Sequence, residues 1–179
     1  MAMTYENLPG WFDFPSIYDQ AIQNATDQSI FVEVGVAYGR SINYLASKSK
    51  EAGKKPSIFA VDWFKGSIGE AAGTYTDNMF DFFVQGVHGC GNNDIIKTIV
   101  SDSTEAANRF DDGVCDLVFI DAAHYYEGVK RDLLAWRPKV KKGGIFAGHD
   151  IDAPGVYQAV SEVLGKDGFV IIGRSWQSK

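Results

Sequence analysis

Short apolar runs recur along the chain, and a polar or amphipathic stretch separates each run from the next. Most residues within a run are apolar and do not alternate with polar ones, which is typical of strands covered on both faces of a sheet. The runs predict six strands, at residues 30–34, 57–61, 95–100, 115–120, 145–147 and 169–172.

The stretches between these runs carry apolar residues at helical spacing. They predict helices at 15–24, from Arg40 onward, at 75–85, around 129–136 and at 155–164, and a short helix through Ala106 and Ala107. A strand followed by a helix thus recurs five times, and right-handed crossovers give a doubly wound, mostly parallel α/β sheet with helices on both faces. We expect a single domain over residues 1–179, with a Rossmann-like core at 28–179. Residues 1–27 either pack across the end of the sheet or form a lid.

Composition and charge narrow the range of partners. The chain of 179 residues is 45% apolar and 22% charged, with a formal net charge of −6. A net negative charge favours neither nucleic acid nor an anionic membrane as a partner. The apolar runs are also far shorter than the roughly 20 residues of a membrane-spanning helix. The acidic, aromatic start does not resemble a leader peptide, so we expect a cytoplasmic protein in which Cys90 and Cys115 are reduced.

Polar residues stand at the carboxyl end of each of the first five predicted strands, either in its last residues or directly after it. Ligands of a doubly wound sheet bind beyond the carboxyl ends of its strands, so these positions are candidates for a site. An aspartate there can instead cap the following helix, which is the alternative for the acids after the third, fourth and fifth strands. The residues are Glu33, Asp62, Asp102, Asp121, His149 and Asp150.

The turn after the first strand indicates the kind of ligand. Gly35 and Gly39, with the small Ala37 between them, let a ligand approach the backbone, but the G-x-x-x-G spacing is neither the dinucleotide fingerprint nor a phosphate loop. Glu33 would repel a pyrophosphate and attract an ammonium group through an ordered water, while Asp62 would accept hydrogen bonds from two ribose hydroxyls. A nucleoside with a cationic tail meets both conditions, which describes S-adenosylmethionine.

Four sequence motifs carry a resemblance to a known family. They are EVGVAYGRS at 33–41, VDWFKGS at 61–67, DLVFIDAAHYYEGVKRDLLAW at 116–136 and GGIFAGHD at 143–150. With these motifs the chain resembles the class I S-adenosylmethionine-dependent methyltransferases, within their small-molecule and sugar O-methyltransferase-like group (methyltransferase family 24-like). The resemblance covers nearly the whole chain. Relatives usually end in an antiparallel strand pair, and only seven residues follow the last predicted strand here, so we expect a shortened pair whose final strand is very short or missing.

The resemblance implies a set of cofactor-binding residues. It places the methionine part of S-adenosylmethionine at the glycine turn, the ribose at Asp62, the adenine at Asp102 and Ser103, and the methyl group beside Asp121. The full implied set is Glu33, Gly35, Ala37, Gly39, Ser41, Asp62, Trp63, Asp102, Ser103 and Asp121.

The reaction implied is methyl transfer to a hydroxyl of a sugar or another small molecule. Such a transfer needs a group that weakens the O–H bond of the acceptor. His149 is our first candidate for the general base and His124 the second, with Asp121 beside them. Alternatively, Asp121 and Asp150, with either histidine, would bind Mg²⁺ or another divalent cation.

Two further functions stay open at this point. One is an NAD(P)-dependent oxidoreductase on a similar sheet, against which the missing dinucleotide fingerprint argues. The other is a non-catalytic protein that binds S-adenosylmethionine and serves in assembly. A homo-oligomer is compatible with either function and with the methyltransferase.

Overall fold

The sheet has seven strands, and the first five are parallel. A computed structural model describes residues 3–66 and 78–179. The strand order is β3-β2-β1-β4-β5-β7-β6, with β7 antiparallel to both neighbours. The strands are β1 Ile30–Val34, β2 Ser57–Asp62, β3 Ile96–Val100, β4 Cys115–Ile120, β5 Val140–Gly148, β6 Phe169–Ile172 and β7 Ser175–Ser178.

Helices lie on both faces of this sheet, as the recurring strand–helix pattern predicts. The α-helices are α1 Pro15–Asn24, α2 Arg40–Glu51, α3 Met79–Gly89, α4 Ser103–Ala107, α5 Tyr126–Trp136 and α6 Pro154–Leu164. Short 3-10 turns at Tyr5–Asn7 and Arg137–Lys139 complete the described elements. None of the helices in the described ranges has the length and apolar character needed to cross a bilayer.

Two hydrophobic cores, one on each face, explain why the strands are apolar without alternation. Along β1, Phe31 packs into the core shared with α1, α2 and α3, whereas Val32 packs into the core shared with α4, α5 and α6. In β4, Phe119 and Val118 divide between the two cores in the same way. Because both faces are covered, neither face of a central strand needs polar residues.

The observed elements depart most from the predicted ones at three places, and elsewhere the bounds differ by at most three residues. The third helix runs from 79 to 89 instead of 75 to 85, and residues 75–77 lie outside the described residues. The fifth strand begins at Val140 rather than 145, because a bulge around Gly143, with φ of 79°, shifts its register against β4. The last strand is very short, as expected, but it is not missing: β7 has four residues and completes the antiparallel pair.

The described part of the N-terminal segment packs against the core over most of its length. Phe14 is buried and stacks on Phe119 of β4, with ring centroids 4.3 Å apart. In α1, Ile17 and Tyr18 are buried in the same core. α1 therefore packs on a face of the sheet, while Pro9, Gly10 and Trp11 line a cleft at its carboxyl end. Whether residues 1–27 pack across the sheet end or form a lid stays a prediction.

Candidate active site

Two clefts open at the carboxyl ends of the strands and meet at one place. The first cleft encloses about 840 Å³ and lies over β1, β2 and β3, and the second encloses about 1070 Å³ and lies over β1, β4 and β5; both volumes include space open to solvent. Gly35, Ala37 and Asp121 line both clefts. A ligand in the first cleft can thus reach one in the second at this junction.

The glycine turn after β1 lies against the loop that follows β4. Gly35 has φ of +87°, and a Cβ there would stand 2.1 Å from the backbone oxygen of Asp121. Gly39 has φ of +84°, and its Cβ would meet the Phe83 ring at 2.8 Å. Ala37 also has a positive φ, 45°, which side chains rarely adopt. Only residues without a side chain fit the two glycine positions of this turn.

Asp62 at the end of β2 holds the turn in shape. Its Oδ2 accepts hydrogen bonds from the backbone N–H groups of Val36 and Ala37, at 2.9 and 3.0 Å, and its Oδ1 accepts one from Phe64 at 2.7 Å. Asp62 and Trp63 both line the first cleft. Oδ2 already accepts two bonds, and Oδ1 can accept one more. The contact of Asp62 with a ribose hydroxyl therefore stays a prediction, and this geometry leaves one acceptor position for it.

Glu33 lies beneath the turn and lines neither cleft. It is 1% exposed, and the Ser41 hydroxyl donates a short hydrogen bond to its Oε1. Oε2 has no hydrogen-bond partner among the described residues, and the Tyr18 hydroxyl faces the same carboxyl group. Burial raises the pKa of Glu33 to about 8 despite these hydroxyls. Glu33 therefore carries a proton over much of the neutral range, and its expected contact with an ammonium group is at best indirect.

Asp102 and Ser103 combine a structural role with their place on the first cleft. Asp102 caps α4, with Oδ1 accepting from the backbone N–H and hydroxyl of Thr104 at 2.9 and 2.6 Å, and Arg131 donates to Oδ2 at 3.2 Å. Burial raises the pKa of Asp102, but these bonds and the Arg131 charge outweigh it and hold the pKa below its usual value. The Ser103 hydroxyl accepts from the buried Trp136 indole at 2.9 Å.

The first cleft also contains an acid that the sequence analysis missed. Asp132 of α5 is 1% exposed and lines this cleft, and burial raises its pKa to about 6. Its signal was present in the sequence, since Asp132 occupies the apolar stripe of α5 together with Val129, Leu133 and Trp136. A charged residue on a buried helical stripe is rare unless it has a partner or a function.

Three of the predicted residues converge in the second cleft. Asp121, His124 and Asp150 place one ligand atom each within 4.8 Å of one another. His124 Nε2 lies 3.0 Å from Asp150 Oδ2 and 3.9 Å from Asp121 Oδ1. Both carboxylates raise the pKa of His124, to about 10. Without another cation His124 is therefore protonated at neutral pH, and the cluster is a favourable place for positive charge.

His149 lies deeper, at the back of the same cluster. It is 6% exposed, its Nε2 is 2.7 Å from Asp13 Oδ1, and its Nδ1 is 3.3 Å from Asp150 Oδ1 and 3.8 Å from Asp121 Oδ1. Burial alone would lower the pKa of His149, but the surrounding carboxylates outweigh burial and raise it. A ring with carboxylates at both nitrogens favours its protonated form, which cannot accept a proton. The expectation that His149 is the general base gains no support from this geometry.

The outer wall of the second cleft comes from distant parts of the chain. Pro9, Gly10 and Trp11 line it together with Arg40 and Arg174. The Arg40 guanidinium donates to the Gly10 carbonyl oxygen at 3.0 Å, and Arg174 Nη2 lies 2.5 Å from Asp150 Oδ1. Trp11 is 80% exposed, although its neighbours are held in place. Residues 9–11 thus border the cleft from the side of the N-terminal segment.

Of the predicted site residues, all except Glu33 line one cleft or both. The first cleft is lined by Asp62, Trp63, Asp102 and Ser103, in addition to Gly35, Ala37 and Asp121, which line both clefts. The second receives the remaining ones, Gly39, Ser41, His124, His149 and Asp150. Which of them bind a cofactor, an acceptor or a metal stays a prediction.

Comparison with known proteins identifies the family. The sequence profile of a family described as "Methyltransferase domain" matches residues 32–151, and the chain belongs to this family. The mostly parallel seven-stranded sheet agrees with the fold expected of class I methyltransferases. The resemblance drawn from the four motifs is thereby confirmed.

Individual relatives are distant. An uncharacterized protein of Sinorhizobium fredii, y4gI, is 27% identical over 136 residues, which are 74% of this chain but only 14% of that protein. The calicheamicin methyltransferase CalS11 is 21% identical, with a TM-score of 0.65 over 92% of this chain and 76% of its own. The O-methyltransferase NovP is 16% identical, with a TM-score of 0.66 and the same coverage. At these identities the two solved structures show the shared fold.

Proposed function

We propose that this protein is an S-adenosylmethionine-dependent O-methyltransferase that acts on a sugar or another small hydroxylated molecule. The observation that carries the proposal is the junction of the two clefts at Gly35, Ala37 and Asp121. In-line transfer requires a cofactor and an acceptor that touch at one point while each has its own binding space. O-methyltransferase structures with the same fold, CalS11 and NovP, support this choice among methyltransferases.

The charges of the first cleft fit S-adenosylmethionine better than a dinucleotide. Among the described residues, its lining contains one guanidinium, that of Arg131, against four carboxylates, those of Asp62, Asp102, Asp121 and Asp132. Such a lining repels a pyrophosphate and suits an uncharged nucleoside with a sulfonium. S-adenosylmethionine supplies the electrophilic methyl group, so the protein must position the acceptor and weaken its O–H bond.

The residues of the second cleft would bind the acceptor and promote the loss of its hydroxyl proton. Asp121 lies at the junction, where its carboxylate would orient the acceptor hydroxyl and receive the proton. In the absence of a metal the neighbouring carboxylates raise the pKa of His124 to about 10, so it is not a free base, and they also raise the pKa of His149. We therefore favour the second mechanism that the sequence suggests: Asp121, His124 and Asp150 would hold a divalent cation that lowers the pKa of the acceptor hydroxyl. Two carboxylates and one imidazole suit Mn²⁺ and also accommodate Mg²⁺.

Calorimetry with S-adenosylhomocysteine tests the cofactor assignment directly. We expect saturable binding in the micromolar range, and no detectable binding of NAD⁺ or NADP⁺ under the same conditions. Stabilisation by NAD⁺ without binding of S-adenosylhomocysteine would replace the proposal with an oxidoreductase.

Radiolabelled methyl transfer to a panel of sugars, nucleotide sugars and phenols tests the reaction. We expect transfer to at least one hydroxylated acceptor, stimulated by Mn²⁺ or Mg²⁺ and lost after treatment with a chelator. Tight binding of S-adenosylhomocysteine with no acceptor methylated across the panel would favour the non-catalytic alternative.

A further inference from the structure

The two clefts differ in the charges of their linings. Among the described residues, the second cleft is lined by two guanidiniums, those of Arg40 and Arg174, and by two carboxylates, those of Asp121 and Asp150. The described lining of the first cleft has one guanidinium and four carboxylates. Clefts attract ligands of the charge opposite to their own. The second cleft, which the proposed function assigns to the acceptor, is therefore the better place for an anionic group.

The two carboxylates of the second cleft already have cationic neighbours. Asp150 Oδ1 lies 2.5 Å from Arg174 Nη2, and Asp150 Oδ2 lies 3.0 Å from His124 Nε2. Asp121 Oδ1 lies 3.9 Å from the same histidine nitrogen. Neither carboxylate lies within ion-pair distance of Arg40.

Arg40 is a partly buried cation without a carboxylate partner. Its Nη1 donates to the Gly10 carbonyl oxygen at 3.0 Å, and its Nε has no hydrogen-bond partner among the described residues. No carboxylate in residues 3–66 and 78–179 forms an ion pair with this guanidinium. Charges removed from water are normally paired, so the site lacks an anion that a ligand can supply.

The position of Arg40 relates this missing anion to the acceptor. Arg40 lines the second cleft and does not line the first, and its bond to Gly10 places the guanidinium beside the outer wall at residues 9–11. The junction of the clefts at Gly35, Ala37 and Asp121 belongs to the lining of the same cleft. One small molecule can therefore present its hydroxyl at the junction and a charged group to Arg40.

Resting on the proposed function, we infer that the methyl acceptor carries an anionic group, a carboxylate or a phosphate, and that Arg40 binds this group. Both anions accept charge-assisted hydrogen bonds from a guanidinium. Arg40 is then a specificity residue for the acceptor, and the methyl group is transferred to a hydroxyl elsewhere on the same molecule.

Calorimetry on the complex with S-adenosylhomocysteine tests this inference with matched acceptors. Each pair contains an anion and a neutral analogue: 3,4-dihydroxybenzoate with its amide, glucuronate with glucuronamide, and glucose 6-phosphate with glucose. The first two pairs test for a carboxylate and the third for a phosphate. We expect the wild type to bind the anion of at least one pair about 10- to 100-fold more tightly than its neutral analogue, because hydrogen bonds to charged groups are the stronger ones.

In Arg40→Gln this preference should fall to about threefold or less. Loss of the contact with Gly10 alone would weaken both members of a pair and leave their ratio unchanged, so the ratio separates binding of the anion from a structural role. Each ratio is also measured on one protein, so a partly unfolded variant does not distort it.

Arg137→Gln is the matched control. The Nη1 of Arg137 also donates to a backbone oxygen, that of Val163, at 3.0 Å, but Arg137 lines neither cleft. The variant removes the same charge from the protein and should keep the wild-type preference within about threefold.

Two results would overturn the inference directly. One is a wild type that binds no anion of the panel more tightly than its neutral analogue, and the other is an Arg40→Gln variant that keeps the full preference. If Arg40→Gln keeps the preference and instead weakens S-adenosylhomocysteine more than about tenfold, Arg40 binds the cofactor and the inference is wrong, although the proposed function stands. If the wild type does not bind S-adenosylhomocysteine, the proposed function fails and the inference with it.

Discussion

The two clefts are built in different ways. The first cleft is shaped by backbone: a turn of glycines lies against the loop after β4, and the Asp62 carboxylate fixes that turn through backbone N–H groups. The second cleft is formed by side chains that depend on one another, as His149 contacts Asp13 and Arg174 contacts Asp150. A site shaped by backbone tolerates few substitutions but depends little on conditions, whereas a site of paired charges responds to each partner, to pH and to metal.

The largest effect is expected from the backbone of the first cleft. In Gly35→Ala the new Cβ would stand 2.1 Å from the Asp121 carbonyl oxygen, at a φ of +87°. The turn and the β4 loop must then separate, so we expect calorimetry to show at least a 100-fold loss of affinity for S-adenosylhomocysteine.

Gly53→Ala is the control, because Gly53 also has a positive φ, +72°, but a Cβ there meets nothing within 4 Å. It should cost only the roughly 1–2 kcal/mol of a left-handed residue and leave affinity unchanged. Equal losses of affinity in both variants would contradict this account.

Replacing one carboxylate of the second cleft should weaken cation binding there while the first cleft still binds the cofactor. We expect Asp150→Asn to weaken Mn²⁺ binding about 100-fold, because it removes one of the two carboxylate charges of the cluster, and to change the affinity for S-adenosylhomocysteine less than threefold. Asp152→Asn is the matched control, since Asp152 pairs with the same Arg174, at 3.1 Å, but lies outside the cluster. Calorimetric titration of Mn²⁺ into each variant measures the difference. Unchanged Mn²⁺ affinity in Asp150→Asn would refute the assignment of the cluster as a metal site.

The difference between a cleft shaped by backbone and a cleft of paired side chains also explains which features could be predicted from the sequence. The bounds of β1, β4 and β6 and the place of the glycine turn follow from local patterns, because burial on both faces and positive φ leave clear signals over a few residues. The pair Asp13 and His149 lies 136 positions apart in the chain, and no local pattern predicts it. The position of His149 after a strand therefore predicts a general base, whereas its partners in the structure favour the protonated ring. Asp132 was missed because its helix was interpreted through its apolar residues alone.

Glu33, buried beneath the glycine turn, should make the stability of the fold depend on pH. Its pKa is raised from 4.5 to about 8 in the folded protein, so between these values the folded state binds a proton that the unfolded state has lost. The stability that Glu33 contributes is thus fully present below pH 4.5 and is lost as the pH rises through about 8. Glu33→Gln keeps the neutral shape, so its unfolding free energy relative to the wild type should rise by about 3–4 kcal/mol between pH 5 and pH 8.

Urea unfolding at pH 5, 6.5 and 8 measures this difference. Glu162→Gln is the control, because Glu162 is an exposed acid whose pKa is lowered by Lys130, and it should show no such gain at high pH. A constant difference between Glu33→Gln and the wild type over this range would show that Glu33 is ionised in the folded protein.

The smallest effect is expected at the rim of the second cleft. Trp11 is 80% exposed and lines that cleft, while Arg40 holds Gly10 on one side of it and His149 holds Asp13 on the other. Its ring is therefore available to an acceptor without a large ordering cost.

Contact between an aromatic ring and a sugar or phenol is worth on the order of 0.5–1.5 kcal/mol, so Trp11→Ala should raise the KM of the best acceptor about 3- to 10-fold. The kcat and the affinity for S-adenosylhomocysteine should stay within about twofold. Tyr157→Ala, at an exposed ring on α6, should change none of these values. A fall in kcat at unchanged KM would mean that residues 9–11 position the reacting groups instead of only contacting the acceptor. The N-terminal segment would then count as a fixed part of the second cleft, which would weaken the contrast with the first.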